Sequence, residues 1–319
     1  MTKKIEAAIS EVDLDLFYEE QFNSSKKNNM VNLDDGIENA RKKHKQELQE
    51  FLDSKASNQV WLAKDKQGNY AGLIWAANRG FSDAWDPDPD PAWVYDIKVD
   101  PAHRRAGLGR QLLKTAEEWA ADQGFQQIGL HVFAGNLPAI NLYLTNQFKT
   151  AATYYQKVIP KENQISGTAT LKLIEADQED FKAEAYQFFA DAISSHFQAS
   201  EKEMQERYQN HLQRYGFFKD RHHLMWATNP DGKKIGGVWF YPNKPDPEKP
   251  KYVWVQDAFS SEITNLPRLY NLVEDWAHTE GINTIKALRI LPSDKFNQAL
   301  ENNQYKTTNL FMQKALTSR

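Results

Sequence analysis

The stretch YDIKVDPAHRRAGLGR, running from Tyr95 to Arg110, decides how the rest of the chain is read. Tyr95, Ile97 and Val99 alternate with polar residues, the period of a half-buried strand. Asp100-Pro101 ends that strand, and Arg104, Arg105, Gly107 and Gly109 then fall within six residues. Behind them Leu112, Leu113, Ala116, Trp119 and Ala120 mark the apolar face of a helix. The order strand, basic glycine-rich turn, helix places backbone N–H groups and a positive dipole end beside two arginines. Such a turn suits a phosphate group. Neither G-x-x-x-x-G-K-[ST] nor G-x-G-x-x-G is present, so the two commonest nucleotide loops do not describe it.

The chain has 319 residues, enough for two domains, with 40% hydrophobic and 26% charged residues, as in globular proteins. A formal net charge of −4 argues against nucleic acid as a partner. No apolar run approaches the roughly 20 residues of a membrane helix. With zero cysteines there is no disulfide, thiolate nucleophile or cysteine zinc site. The N-terminus turns acidic before a signal-peptide core forms, so a cytoplasmic location is the simplest expectation. Oligomeric state is not legible in the sequence.

Along the chain, Lys4–Ile9 reads as a first strand, and Asp13 caps a helix carrying Leu14, Phe17, Tyr18 and Phe22. A polar break at Asn23–Asn32 leads to a second, largely solvated helix from Asp34 to Ser54. Val60–Ala63 and Tyr70–Trp75 form a hairpin pattern, and the prolines of Gly80–Pro91 exclude helix and strand. After the central segment come a strand at Gln127–Phe133, a helix at Leu137–Asn146 and a strand at Phe148–Val158.

The second half repeats the first. Asn146-Gln147-Phe148-Lys149-Thr150 returns as Asn303-Gln304-Tyr305-Lys306-Thr307, an offset of 157, and Trp119-Ala120 meets Trp276-Ala277 at the same spacing. Gly72 and Trp75 match Gly236 and Trp239 at an offset of 164, which assigns a seven-residue gap to the proline-rich loop. The expected organisation is a first domain over residues 1–159, a linker at 160–167 and a second domain over 168–319. Opposite Arg104–Gly109 the second copy carries Ser261–Leu266, without either arginine or either glycine and with Glu262, which repels phosphate.

The segment Arg104-Arg105-Ala106-Gly107-Leu108-Gly109 resembles the [RQ]-x-x-G-x-[GA] acetyl-CoA loop of the GNAT superfamily of N-acetyltransferases. Asn136-Leu137-Pro138-Ala139-Ile140-Asn141-Leu142-Tyr143 resembles that family's N-x-x-A-x-x-L-Y helix. The resemblance spans about the first 158 residues and departs at Gln147-Phe148, where the family carries Gly-Phe. It implies an α/β (α+β) fold of two tandem GNAT-like domains, each a mostly antiparallel mixed sheet flanked by helices, the second domain degenerate.

It implies further that the backbone of Ile97, Lys98 and Val99 pairs with the pantetheine arm of acetyl-CoA, and that Arg104 to Arg110 (with Ala106, Gly107, Leu108 and Gly109) hold its pyrophosphate. Asn136 then contacts the pantetheine, and Tyr143 stands near the sulfur as the acid. His131 and Asp96 are the two candidates for the base, with an ordered water chain as the remaining one. Phe17, Tyr18, Glu19, Glu20 and the loop with Trp85 would form an aromatic and acidic rim for a cationic amine. No metal site is expected, because the histidines lack ligand spacing with acidic partners.

The resulting expectation is direct acetyl transfer to a primary amine of a small molecule. A non-catalytic acyl-CoA-binding regulator or scaffold and a protein N-acetyltransferase are the alternatives. Since only the first half carries the loop, a calorimetric titration is expected to show one CoA per chain. A second equivalent, or ligand seated at Thr264–Leu266 in a crystal, contradicts this reading.

Overall fold

A computed structural model describes residues 8–10, 14–27, 34, 36–80, 90–160, 171–194, 200–215, 221–243, 251–290 and 294–316. The linker 160–167, apart from Pro160, lies outside the described residues, as do Asp13 and the loop residues 81–89 with Trp85. The first half runs β1 (Ala8–Ser10), α1 (Leu14–Lys27), α2 (Ile37–Asp53), β2 (Asn58–Lys64), β3 (Tyr70–Asn78) and β4 (Ala92–Val99). It continues with α3 (Leu108–Asp122), β5 (Gln127–Phe133), α4 (Leu137–Thr145) and β6 (Lys149–Val158). The second half repeats that order as β7 (Lys172–Glu175), α5 (Gln178–Ser194), α6 (Glu201–Tyr215), β8 (His223–Thr228), β9 (Lys234–Pro242) and β10 (Val253–Phe259). Then follow α7 (Leu266–Thr279), β11 (Thr284–Ile290), α8 (Asp294–Asn302) and β12 (Lys306–Ala315). The first helix extends to Lys27, past the Asn23 at which the polar composition suggests a break, because tertiary packing of Phe17, Tyr18 and Phe22 carries it.

The two halves do not keep separate sheets. All 12 strands form one sheet in the order β1-β2-β3-β4-β5-β12-β6-β11-β10-β9-β8-β7. The last strand of each half has therefore crossed to the other: β12 lies against β5, and β6 against β11. The registers show a local pseudo-twofold. Gln127↔Ala315 and Phe133↔Asn309 on one side become Thr284↔Val158 and Ile290↔Ala152 on the other, with each residue shifted by 157. At the centre β12 and β6 pair antiparallel, with Lys306↔Gln156 mirrored by Gln313↔Lys149.

The exchange carries side chains across as well. Met312 of β12 is buried in the first half's core with Leu130, Val132 and Tyr143, while Tyr155 of β6 is buried in the second half's core with Tyr270 and Tyr305. Each crossed strand is also anchored by a lysine to the other half's long helix. Lys157 Nζ lies 2.7 Å from Glu274 Oε2 on α7, and Lys314 Nζ lies 2.7 Å from Glu117 Oε2 on α3, the same pair 157 residues apart. Tyr305 adds a hydroxyl donated to Glu274 Oε1 at 2.9 Å.

The strand registers correct the position of the length difference between halves. The β-bulge that leaves Tyr95 without a partner on β3 has its counterpart at Gln256 opposite β9, an offset of 161. Gly72 packs under the carbonyl of Lys98, and Gly236 under that of Phe259, again 161 apart. The seven residues are thus split, three between β3 and β4 and four between β4 and α3. The second copy is shorter just where the first builds its basic loop. At the end of α4, Gln147 takes the left-handed conformation that glycine favours (φ 71°). Phe148 N–H donates to Tyr143 O at 3.1 Å and Gln147 N–H to Leu144 O at 3.1 Å, so the helix closes in a Schellman motif despite the missing glycine.

Removing one partner of a buried pair leaves the other charge uncompensated. Lys157→Met, whose side chain and that of Glu274 are both 9% exposed, is expected to lower stability by about 3 kcal/mol. Lys314→Met, in the more open copy, is expected to cost about 1 kcal/mol. Urea denaturation of both variants measures this, and equal losses contradict it.

Candidate active site

The site begins where two parallel strands part. β4 and β5 pair through Ala92↔Ile128, Trp93↔Gly129 and Val94↔Leu130, and their register ends there. From the Tyr95 bulge onward β4 stays on β3, so the β5-facing edge of Ile97, Lys98 and Val99 has no strand partner among the described residues. A cavity of about 630 Å³ opens along that edge. Its walls are Ile97, Lys98 and Val99 of β4, Arg104, Arg105, Gly107, Leu108, Gly109 and Arg110 of the loop and α3, and Asn136 of α4. These are the residues expected from sequence to hold the cofactor, except Ala106 and Tyr143, which do not line it, and neither do the candidate bases Asp96 and His131. His103, Pro138, Ala139 and Leu142 line it as well and were not foreseen.

The loop is held in shape from several sides. Asp100 Oδ1 accepts from Ala102 N–H at 2.9 Å and closes a single 3-10 turn over Pro101–His103. The His103 ring stands 3.5 Å from Asp65 and 3.5 Å from Asp100. Arg104 Nε donates to Val99 O at 3.1 Å, tying the loop to the end of β4. Arg105 (φ 62°) and Gly107 (φ 86°) both take positive φ, which turns the chain into α3 with Gly107 as its N-cap. Gly107 contributes no side-chain cap bond, so the first amides of α3 face the cavity uncapped. A Cβ at Gly109 would come within 3.2 Å of Leu142 Cδ2, so a side chain there would crowd the cleft between α3 and α4. Arg105 and Arg110 form no ion pair among the described residues. The combination of open amides, a helix N-terminus and unpaired guanidinium groups fits a pyrophosphate.

The candidate acid and one candidate base lie near enough to interact electrostatically, though neither lines the cavity. Tyr143 is buried, and burial first, then the charge of Asp96, pushes its hydroxyl up to about 12. That hydroxyl makes no hydrogen bond among the described residues, so it keeps its proton at neutral pH and has it to give. Asp96 accepts from Gln21 Nε2 of α1 at 2.5 Å. Burial raises its carboxyl above the usual range, against the lowering effects of Gln21 and Lys98. Lys98 is in turn paired with Glu20 of α1. Gln21 is a partner that no spacing in the sequence announces.

Asn136 N-caps α4, its Oδ1 accepting from Ala139 N–H at 3.3 Å, so its carbonyl oxygen is already engaged. Of the expected rim residues, Phe17 and Tyr18 are core, with Phe17 edge-on to Trp75, while Glu19 pairs with Arg41 at 2.6 Å. His131 sits elsewhere. Leu130 and Val132 on either side of it face the α3 and α4 core, so strand alternation turns His131 to the opposite face. There its ring meets Trp93, Phe311 and Tyr154, and it lines a second cavity.

The second half presents the same parting in closed form. Its β10 and β11 pair only through Val253↔Ile285, Trp254↔Lys286 and Val255↔Ala287. In the gap beyond, Arg289 of β11 donates to Ala258 O at 3.3 Å and stands 3.5 Å from Asp257 Oδ1. Ala258 and Asp257 are the counterparts of Ile97 and Asp96 at the 161 offset. A guanidinium of the chain itself thus occupies the edge that lies open in the first half.

A mixed sheet parted beside a basic loop at a helix N-terminus defines the class of GNAT-type acyltransferase folds. The model of the Acetyltransferase (GNAT) family matches residues 27–148, most of the first half. Mycothiol acetyltransferase of Clavibacter sepedonicus is 35% identical over 95 residues, 30% of this chain and 28% of that protein. The [Ribosomal protein bS18]-alanine N-acetyltransferase of Escherichia coli K12 is 35% identical over 79 residues, 24% of this chain and 53% of that protein. The chain thus spans between about a quarter and a half of the length of these relatives. Among solved structures, a GCN5-related glucosamine N-acetyltransferase region of a fungal multi-domain GH3 beta-N-acetylglucosaminidase shares the fold over 97% of this chain and 38% of that one. The TM-score is 0.51 and the identity 12%.

If the loop holds a pyrophosphate, Arg105→Glu together with Arg110→Glu is expected to weaken CoA binding at least tenfold in calorimetry. Unchanged affinity would place the nucleotide elsewhere.

Proposed function

We propose that this protein transfers the acetyl group of acetyl-CoA directly to a primary amine of a small molecule, using the first half alone for the cofactor. The observation that carries the reading is the unpaired edge of Ile97–Val99 running into the basic turn ahead of α3. An extended pantetheine arm adds to such an edge as a strand would, through backbone hydrogen bonds. The amides and guanidinium groups from Arg104 to Arg110 take the pyrophosphate.

The thioester then lies toward the point where β4 leaves β5, close to Asp96 and Tyr143. Asp96 is the base favoured here, removing a proton from the acceptor's ammonium directly or through water. The amine nitrogen bonds to the thioester carbonyl carbon, the C–S bond breaks, and Tyr143 gives its proton to the departing sulfur. Of the two protons the nitrogen sheds, one balances that transfer and the other is released. The filled gap at Arg289 and the loop shortened by four residues support a second half that gives up the cofactor and serves the first as a structural partner.

The test is release of free thiol from acetyl-CoA with a panel of amines. Tyr143→Phe is expected to lower kcat about 100-fold with little change in CoA affinity. Because the Asp96 carboxyl is raised, its base form accumulates as pH climbs through a value above the ordinary carboxylate range. The acidic limb of kcat/KM is therefore expected above that range and to disappear in Asp96→Asn. CoA binding without turnover on any amine would favour a binding protein instead.

A further inference from the structure

A second cavity, of about 320 Å³, lies on the seam of the exchanged strands. His131 of β5, Tyr154 and Gln156 of β6, Trp254 of β10, Lys286 of β11 and Asn309 of β12 line it, so both halves build it. Five of these residues belong to adjacent strands in register: Trp254↔Lys286 and Lys286↔Gln156 in one row, Tyr154↔Asn309 in the next.

Its charge is one-sided. Lys286 and His131 contribute nitrogen, and no carboxylate lines the wall among the described residues. The Lys286 ammonium is half-buried, stands 4.1 Å over the Tyr252 ring and has no ion pair among the described residues. A half-buried ammonium without a carboxylate gains most from an anionic ligand. Two aromatic rings give it flat walls beside the polar side chains of Gln156, Thr308 and Asn309. The Tyr154 and Trp254 rings lie 6.2 Å apart at 56°, and the Trp254 N–H is already donated to Gln256 Oε1 at 2.9 Å, which leaves ring surface as that residue's offering.

The cavity also adjoins the reaction centre. His131 follows Leu130, the last β5 residue in register with β4, and faces the side of the sheet opposite the α3 and α4 core. The parting of β4 from β5 thus lies between the cofactor cavity on one face and the seam cavity on the other.

We infer that the seam cavity holds the body of the acetyl acceptor, and that the acceptor is an aromatic amine with a carboxylate at the opposite end of the ring from its amine, with Lys286 as the specificity-determining residue. This rests on the acetyltransferase reading above. The amine points through the gap toward Asp96, the ring lies against Tyr154 and Trp254, and the carboxylate meets Lys286. The second half then supplies substrate selection rather than a second active site.

The experiment compares 4-(aminomethyl)benzoate with benzylamine and 4-(2-aminoethyl)benzoate with phenethylamine as acceptors, measuring thiol release. Binding of the N-acetyl product of 4-(aminomethyl)benzoate by calorimetry serves as a readout that needs no turnover. The wild type is expected to favour each carboxylated member at least tenfold in kcat/KM and to bind the N-acetyl product. Lys286→Met is expected to remove the preference by raising KM for the carboxylated amine at least tenfold with kcat kept, and to weaken product binding equally. Lys286→Arg is expected to retain the preference, and all variants to keep CoA affinity and melting temperature. Preference for the decarboxylated amine, equal effects of Lys286→Met on both members, or no binding of the N-acetyl product overturns the inference while leaving acetyl transfer standing. Loss of CoA binding in the wild type would instead remove the underlying reading.

Discussion

The parting of β4 from β5 after Val94 is the constraint on which the site depends. A parallel pair that stayed in register would satisfy its own backbone groups and leave nothing for a ligand to bond. The bulge at Tyr95 lets β4 turn while it remains on β3, and β12 holds β5 from its far side through seven paired positions. The gap is therefore held open by two different neighbours pulling in opposite directions. Everything assigned to the site is measured from it: the open edge, the loop continuing from that edge, and Asp96 just past the last position paired with β5.

That neighbour of β5 comes from the other half of the chain. The exchange of β6 and β12 makes the tandem copies interdependent, because each supplies a strand, core side chains and a lysine anchor to the other. It also accounts for how the two copies came to differ. Once the second half holds the first in shape, it no longer needs an open gap of its own, and Arg289 fills the space with bonds to Ala258 and Asp257. A Cβ on Gly72 or Gly236 would come within 3.3 and 3.0 Å of Leu112 on α3 and Leu269 on α7, so the close approach of the long helix to the sheet is kept in both copies. Structure is retained twice and the cofactor loop once.

Much of this was legible in the sequence because the decisive features are local. Glycines and arginines between a strand and a helix declare their geometry within sixteen residues, and the tyrosine of the α4 motif lies on the same helix as its cap. The repeat was legible through residues at a fixed offset. The strand exchange was not, since the alternation of β6 and β12 is satisfied equally by either half's sheet. Lys157 and Glu274 recur as Lys314 and Glu117, a signal that these positions pair but not to which half each strand belongs. Gln21 as the partner of Asp96 is a tertiary contact across 75 positions and leaves no pattern. For His131 the sequence did carry the signal. Leu130 and Val132 beside it mark the α3 face, so a histidine between them points the other way.

The central claim is that a nucleotide cofactor seats itself along one open strand edge and one turn. Amide hydrogen exchange with and without acetyl-CoA tests it most directly. Protection is expected at residues 97–99 and 104–110, with no change at 261–266. Protection confined to the second half, or none at the first half's turn, would contradict the account.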